Sequence, residues 1–441
     1  MTPLSASDLR IARLGEARVP SPLTVPEAET FVRDDERVFV DPRPEQVRAD
    51  LAGAAGPSAF ELAGPRERLY FTPARSRAAI VTCGGICPGL NDVIRALVVE
   101  LRGRYRIAEV LGARYGYSGL ARDARLQPLD LAAVDDIHLR GGSVLGTCRG
   151  TPPVGEVVDT LVRERIDLFF VVGGDGALRG ALEISEEIAR RGLSIAVVGL
   201  PKTIDNDIPW VRRSFGFQTA VRVASEAVRA AHIEATAVRR GVGLVRLMGR
   251  HTGFLAATAA LAAGSVDFCL IPECPFALEG DDGLLRLVER RLDEQGHALL
   301  VVAEGAGQEF FAGQELGCDA SGNRKLGDIG AWLRRRLEDH FAGRGGIGMK
   351  YLDPSYLVRS AAADTSDSMH AARLAQNAAH AAMSGRTAML VGYWHGAMTH
   401  VPLAILRGRS RRVNPRGELW WNVLESTGQP ARIGAAANVD V

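Results

Sequence analysis

Lysine is almost missing from this chain: of its 53 basic residues only Lys202, Lys325 and Lys350 are lysines, and the other 50 are arginines. A charge excess is missing too, since 52 acidic residues leave a formal net charge of +1. With 24% charged residues, that balance argues against a nucleic-acid binder, a polybasic membrane docker or a disordered chain. Cysteine is scarce. Cys83, Cys87, Cys148, Cys269, Cys274 and Cys318 are too few for a disulfide framework, and no His or second Cys pair stands at zinc-ligand spacing. They read as small buried or loop thiols in a reducing compartment. Long hydrophobic runs are also lacking. The most apolar stretch, Thr252 to Pro272, is interrupted by Gly264, Ser265 and Asp267, so it reads as a buried helix followed by a strand. The N-terminal MTPLSASDLR has no apolar core of a signal peptide. A soluble, cytoplasmic protein is expected.

What is present is a chain of 441 residues, 46% hydrophobic, with 49 glycines, long enough for two or three domains. The first 75 residues are rich in proline and charge and read as an extension packed over a core. From Ser76 the pattern changes to apolar runs, AAIVT, YRIAEVLGA, IDLFFVV, SIAVVGL, VGLVRLM, VDFCLIP, HALLVVAEG and TAMLVGY. Amphipathic stretches lie among them, such as Asn91–Arg102, Ala177–Arg191 and Gly216–Ala237. Continuous apolar strands separated by helices predict mainly parallel sheets covered on both faces. The fold class expected is α/β, two doubly wound Rossmann-like lobes with a cleft between them. In such folds ligands bind beyond the carboxyl ends of the strands.

The residues after the runs are the informative ones. AAIVT is followed by Cys83-Gly84-Gly85-Ile86-Cys87-Pro88-Gly89-Leu90-Asn91 and a helix, a turn whose amides can approach an anion. IDLFFVV is followed by Gly173-Gly174-Asp175-Gly176-Ala177, where a carboxylate can hold Mg²⁺ while amides hold phosphate oxygens. SIAVVGL leads into Pro201-Lys202-Thr203-Ile204-Asp205-Asn206-Asp207. Two carboxylates beside a lysine and a hydroxyl suit phosphoryl transfer. No G-x-x-x-x-G-K-[ST] and no protein-kinase signature occurs. The single G-x-G-x-x-G match, Gly343 to Gly348, follows a helical pattern and precedes an extended one, the wrong order for a dinucleotide.

Taken together, GGICPGLN, GTCRGT (146–151), GGDGA, PKTIDND, FGFQTA (215–220), LMGRHTGF (247–254), IPECPF (271–276) and KYLDPSYLVRS (350–360) resemble the ordered motif set of the 6-phosphofructokinases. The likeness runs from about Ser76 to about Tyr393. It implies a glycolytic transferase that moves a phosphoryl group from ATP, with Mg²⁺, to the 1-hydroxyl of fructose 6-phosphate. By that resemblance Asp205 is the general base, Asp207 holds geometry and tunes charge, and Thr203 and Ile204 contact the substrate. Lys202 spreads transition-state charge, and Arg250 stands with the catalytic residues. Asp175 binds the metal. Gly85, Arg149, Gly150 and the turn Gly174, Asp175, Gly176, Ala177 line the donor phosphates, with Tyr117 on the adenine side. Met248, Gly249, Arg250 and Glu273 serve the sugar, and Lys350, Tyr356, Leu357, Val358 and Arg359 form the 6-phosphate site.

The donor rests on two positions. Relatives that use pyrophosphate carry a second aspartate where this chain has Gly176; a carboxylate there would crowd the nucleotide α-phosphate. Lys202 is the residue usual in pyrophosphate users. GGDG with PKTIDND resembles the ATP-dependent plant and trypanosome branch, as does the SPL at Ser21. Alternatives are pyrophosphate as donor, sedoheptulose 7-phosphate as acceptor, or a silent sugar-phosphate-binding paralogue. Bacterial allosteric members have an arginine where this chain has Gly241, with Arg239 or Arg240 beside it, so their effector site is not carried over. The implied organisation is an extension over 1–75, an ATP–Mg²⁺ lobe over 76–216 plus about 358–410, a sugar-phosphate lobe over 217–357 and a C-terminal segment over 411–441. A homodimer or homotetramer under allosteric control is the family expectation, with neither nucleic acid nor membrane as partner.

Overall fold

The computed structural model describes residues 4–23, 31–52, 58–121, 126–150, 152–318 and 324–434. The chain forms two compact units. The larger comprises Met1–Thr203, Ile208–Gly216 and Ser360–Ser410; the smaller comprises Ile204–Asp207, Phe217–Arg359 and Arg411–Val441.

The larger unit is built on a nine-stranded sheet. Its spatial order is Arg37–Phe39, Ala59–Leu62, Ala397–Pro402, Met389–Trp394, Ala196–Pro201, Leu168–Gly173, Arg77–Thr82, Glu109–Ala113 and Gln127–Pro128. The run from Met389–Trp394 to Glu109–Ala113 is parallel, and the strands outside it are antiparallel. Every apolar run predicted here is a strand, because Val, Ile, Phe and Leu can be buried on both faces only when helices cover both. Phe169, Val171 and Val197 are fully buried against Leu178 and Ile184 of the helix Asp175–Arg190. Two of the nine strands come from the first 75 residues, which thus extend the sheet edge rather than only lying over a core. Their charged, proline-rich sequence hides this, since a two- to four-residue edge strand has no readable period.

The smaller unit has a four-stranded, wholly parallel sheet in the order Phe268–Leu270, His297–Ala303, Gly241–Leu247 and Gly348–Leu352. Leu244, Leu300 and Val302 are packed with Leu333, Leu337 and Phe341 of the helix Ile329–Phe341. The stretch Thr252 to Pro272 is the helix Phe254–Ala263 followed by the strand Phe268–Leu270. Gly343 to Gly348 joins a helix to a strand, the order read from the sequence. Among the described residues no helix is long and apolar enough to cross a membrane.

Burial in the larger unit has a consequence for pH. His370, His380 and His400 are buried, and desolvation holds them down to about 4, 3 and 4 respectively. His370 Nε2 meets the Arg213 carbonyl at 3.0 Å, His380 Nδ1 the Tyr105 hydroxyl at 2.9 Å, and His400 Nδ1 the Glu61 carboxylate at 2.8 Å. An unfolded chain protonates these rings below about pH 6.5, and the folded one does not until near 4. Their contribution is therefore complete above 6.5 and lost as the pH falls towards 4. Three protons taken up on unfolding correspond to a slope of at most about 4 kcal/mol per pH unit. The thermal unfolding midpoint is expected to fall steadily from pH 7 to pH 5; a flat profile would mean the rings are not held neutral.

Candidate active site

In the larger unit, the strands Ala196–Pro201, Leu168–Gly173 and Arg77–Thr82 are neighbours and parallel, so their following loops emerge at one sheet edge. Those loops are the three singled out by sequence. Lys202 joins two of them. Its ammonium donates to the Gly85 carbonyl at 2.7 Å, and its backbone N–H to the Gly173 carbonyl at 3.0 Å. The lysine is buried at 6% exposure, so the cation is held beside the anion-binding turn and is shielded from water. The GTCRGT loop is tied to the first: the Gly84 N–H donates to the Cys148 carbonyl at 3.1 Å, and the Thr82 hydroxyl to the Gly146 carbonyl at 2.7 Å. Arg149 and Gly150 are exposed at its tip, while Thr151 lies outside the described residues. Burial raises the Cys83 thiol to about 12, so it is a packing group rather than a nucleophile.

Gly174 precedes the helix Asp175–Arg190, whose first N–H groups and positive end are suited to phosphate. Asp175 is half exposed in the first turn and pairs with Arg179 at 2.6 Å. Among the described residues no group of three or more His, Cys, Asp or Glu side chains could hold a metal ion. The site nevertheless fits Mg²⁺, which commonly takes one or two carboxylates, waters and the donor's own phosphate oxygens. At Gly176 an added Cβ would meet nothing within 4 Å. Packing therefore does not require glycine there, and the space beside Asp175 is open.

Tyr117, expected on the adenine side, is instead 2% exposed and donates from its hydroxyl to the Ala177 carbonyl at 2.7 Å. It supports the Gly174–Ala177 turn from within the core. A phenol with one end apolar and one end polar fills both needs, and the sequence carries no sign of which way it faces.

In the smaller unit, Ile204 and Asn206 are buried while Asp205 and Asp207 are partly exposed. Asn206, between the two aspartates, has φ +53, a left-handed conformation that an asparagine tolerates. Met248, Gly249 and Arg250 directly follow the strand Gly241–Leu247. Gly249 has φ +134, and a Cβ would stand 2.6 Å from the Thr252 carbonyl oxygen, so only glycine fits. Arg250 donates to the Arg324 carbonyl, and its buried Nε has no partner.

The acceptor residues are only partly gathered as expected. Glu273 accepts the Gly253 N–H at 3.0 Å and the Val413 N–H at 2.8 Å, and so sits at the start of the helix Phe254–Ala263. A carboxylate has about four lone-pair sites, which leaves room for a sugar hydroxyl. Tyr356 and Leu357 are exposed at 80% and 67%, and the Arg359 guanidinium carbon lies 5.5 Å from the centre of the Tyr356 ring. Val358 is turned inward at 1% exposure, so its side chain is a core group. Lys350 pairs with Glu234 at 3.1 Å, and among the described residues no hydrogen bond or ion pair joins it to Tyr356 or Arg359. Arg240, beside Gly241, is engaged with Asp293 at 3.0 Å.

Neither Arg246 nor Arg411 is marked by any sequence pattern. Arg246 binds Asp353 at 2.6 Å and Glu304 at 3.0 Å, the residues just past the two strands flanking its own. Asp353 in turn accepts from the Ser355 N–H at 3.0 Å, so this guanidinium anchors the start of the helix Ser355–Ser360, which carries Tyr356 and Arg359. Nothing distinguishes one functional arginine among 50.

The family model for phosphofructokinase matches residues 77–382. The chain belongs to the phosphofructokinase family. It is 48% identical to a protein of Amycolatopsis methanolica named ATP-dependent 6-phosphofructokinase, over 98% of this chain and 97% of the relative. It is 45% identical to ATP-dependent 6-phosphofructokinase 1 of Arabidopsis thaliana, over 84% of this chain and 79% of that one. Among solved structures it resembles a pyrophosphate-dependent phosphofructokinase of Marinobacter aquaeolei, with a TM-score of 0.67 and 20% identity over 80% of this chain and 91% of the other. At that identity the likeness concerns the fold alone.

Proposed function

We infer that this chain is an ATP-dependent 6-phosphofructokinase, which transfers the terminal phosphoryl group of ATP to the 1-hydroxyl of fructose 6-phosphate, a glycolytic step. The observation that carries the choice of donor is the open space at Gly176, beside a half-exposed Asp175 at a helix N-terminus. Relatives named for ATP dependence, 48% and 45% identical, support the same reading.

In this reading the larger unit takes the nucleotide. Amides of the Gly84–Gly85 and Gly174–Ala177 turns, with Arg149 and Gly150, hold its phosphates. Asp175 would hold Mg²⁺, which when bound neutralises charge on the donor phosphates. Lys202 balances charge as the β–γ oxygen departs with ADP. The smaller unit takes the sugar phosphate: Lys350, Tyr356 and Arg359 meet the 6-phosphate, and Met248, Gly249, Arg250 and Glu273 meet the sugar. Asp205 accepts the proton of the 1-hydroxyl as its oxygen forms the new bond to phosphorus, and Thr203, Ile204 and Asp207 keep that hydroxyl aligned. A cytoplasmic homodimer or homotetramer completes the proposal.

The test is a coupled assay offering ATP and pyrophosphate separately, with fructose 6-phosphate and then sedoheptulose 7-phosphate as acceptor. ATP with fructose 6-phosphate is expected to give the highest kcat/KM. Faster turnover with pyrophosphate would overturn the donor, and faster turnover with the seven-carbon sugar would overturn the acceptor.

A further inference from the structure

The C-terminal segment beyond Ser410 lies outside the matched family region, yet the smaller unit includes it. Its first residues meet the loop of Asp205. The Arg411 backbone N–H donates to the Asp207 carbonyl at 2.8 Å, and its guanidinium donates to the Asn206 carbonyl at 3.3 Å. The same guanidinium lies over the Phe254 ring, 4.4 Å from its centre, at the first residue of the helix Phe254–Ala263. Two residues on, the Val413 N–H donates to Glu273 at 2.8 Å. A three-residue strap therefore touches both carbonyls that follow Asp205 and the carboxylate of the sugar motif.

The local chain needs such a hold. Asn206 is in the left-handed region with φ +53, a conformation that asparagine visits more readily than other non-glycine residues but that persists only where the surroundings hold it. If the Asn206 and Asp207 peptides rotate, the Asp205 carboxylate moves with them, and a shift of about 1 Å at a reacting group can cost a hundredfold in rate. A planar guanidinium stacks on Phe254 with its face while donating with its edge; an ammonium lacks that flat face and fixed fork, so it holds the two contacts less rigidly.

We propose that Arg411 is a positioning residue for phosphoryl transfer: it holds the Asn206–Asp207 backbone so that the Asp205 carboxylate faces the attacking hydroxyl. This rests on Asp205 being the general base, so the experiment separates the two. Steady-state kinetics are measured for the parent, Arg411→Ala, Arg411→Lys, Asp205→Asn and the double variant Asp205→Asn/Arg411→Ala, with unfolding midpoints for each. Arg411→Ala is expected to lower kcat about 100-fold with KM for ATP within about twofold. Arg411→Lys is expected to recover only part of the loss. In the Asp205→Asn background the same alanine substitution is expected to cost less than about threefold, because a group that acts through another adds nothing once the other is gone. An equal fold-loss in both backgrounds would overturn the proposal, as would a kcat of Arg411→Ala within about threefold of the parent while Asp205→Asn is inactive. An active Asp205→Asn would remove the general base and this inference together. A fall in midpoint in Arg411→Ala that Arg411→Lys restores along with full activity would also overturn it, since charge alone would then suffice.

Discussion

Asp205→Asn is expected to lower kcat by about 10³-fold while leaving KM for fructose 6-phosphate within a few-fold. The amide keeps the shape of the carboxylate and accepts hydrogen bonds, but it takes up no proton from the attacking hydroxyl at neutral pH. A positioned base supplies about 10²–10⁴ in rate, which sets the size of the effect. Asp205 is partly exposed in a loop beyond a sheet rather than inside either apolar core, so the folded state should survive the change. The check is a coupled assay with far-ultraviolet circular dichroism on the same sample. A kcat within about tenfold of the parent would move the base elsewhere.

Gly176→Asp is the second large effect, and it separates donor choice from fold. The added Cβ meets nothing within 4 Å, and a carboxylate at the second position of the helix Asp175–Arg190 is favoured by the helix dipole. Stability should therefore change little. Towards ATP the new charge would lie near the α-phosphate. Two like charges about 4 Å apart repel by about 4 kcal/mol at an effective dielectric constant of 20, and screening leaves roughly half of that. The kcat/KM with ATP is expected to fall about 30-fold, and the ratio of pyrophosphate to ATP turnover to rise. Gly176→Ala serves as the control. In open space the methyl group is tolerated, so a loss in the aspartate variant but not in the alanine variant assigns the effect to charge. Equal losses in both would mean that the site is closed around the donor by contact alone.

How much of this was legible beforehand can be judged from particular residues. The apolar runs are strands because residues buried on both faces leave a continuous pattern that survives any tertiary context. The turns at Gly84, Gly174 and Asp205 are legible for a related reason: glycines and aspartates within a few residues of three successive buried strand ends form one repeated local pattern. The strands Arg37–Phe39 and Ala59–Leu62, at one end of the sheet, are not, being too short to show a period. Side-chain direction was the other gap. Tyr117 and Val358 stand in motifs expected to meet a ligand, yet both side chains are buried, and a tyrosine or valine reads alike in either place.

Lysine shows the division best. By itself the sequence determined that Lys202 is an exception, a rare residue type set between a strand and two aspartates. The arginines were invisible for the opposite reason, since 50 of them dilute any single position. Only the tertiary structure decided that Lys202 is clamped to the Gly85 carbonyl, that Lys350 pairs with Glu234, and that Arg246 and Arg411 hold the loops around them. Periodicity and turn chemistry are local and are written along the chain. The partner of a long cation is chosen by what the fold brings within about 4 Å of its end, however far away that partner stands along the chain.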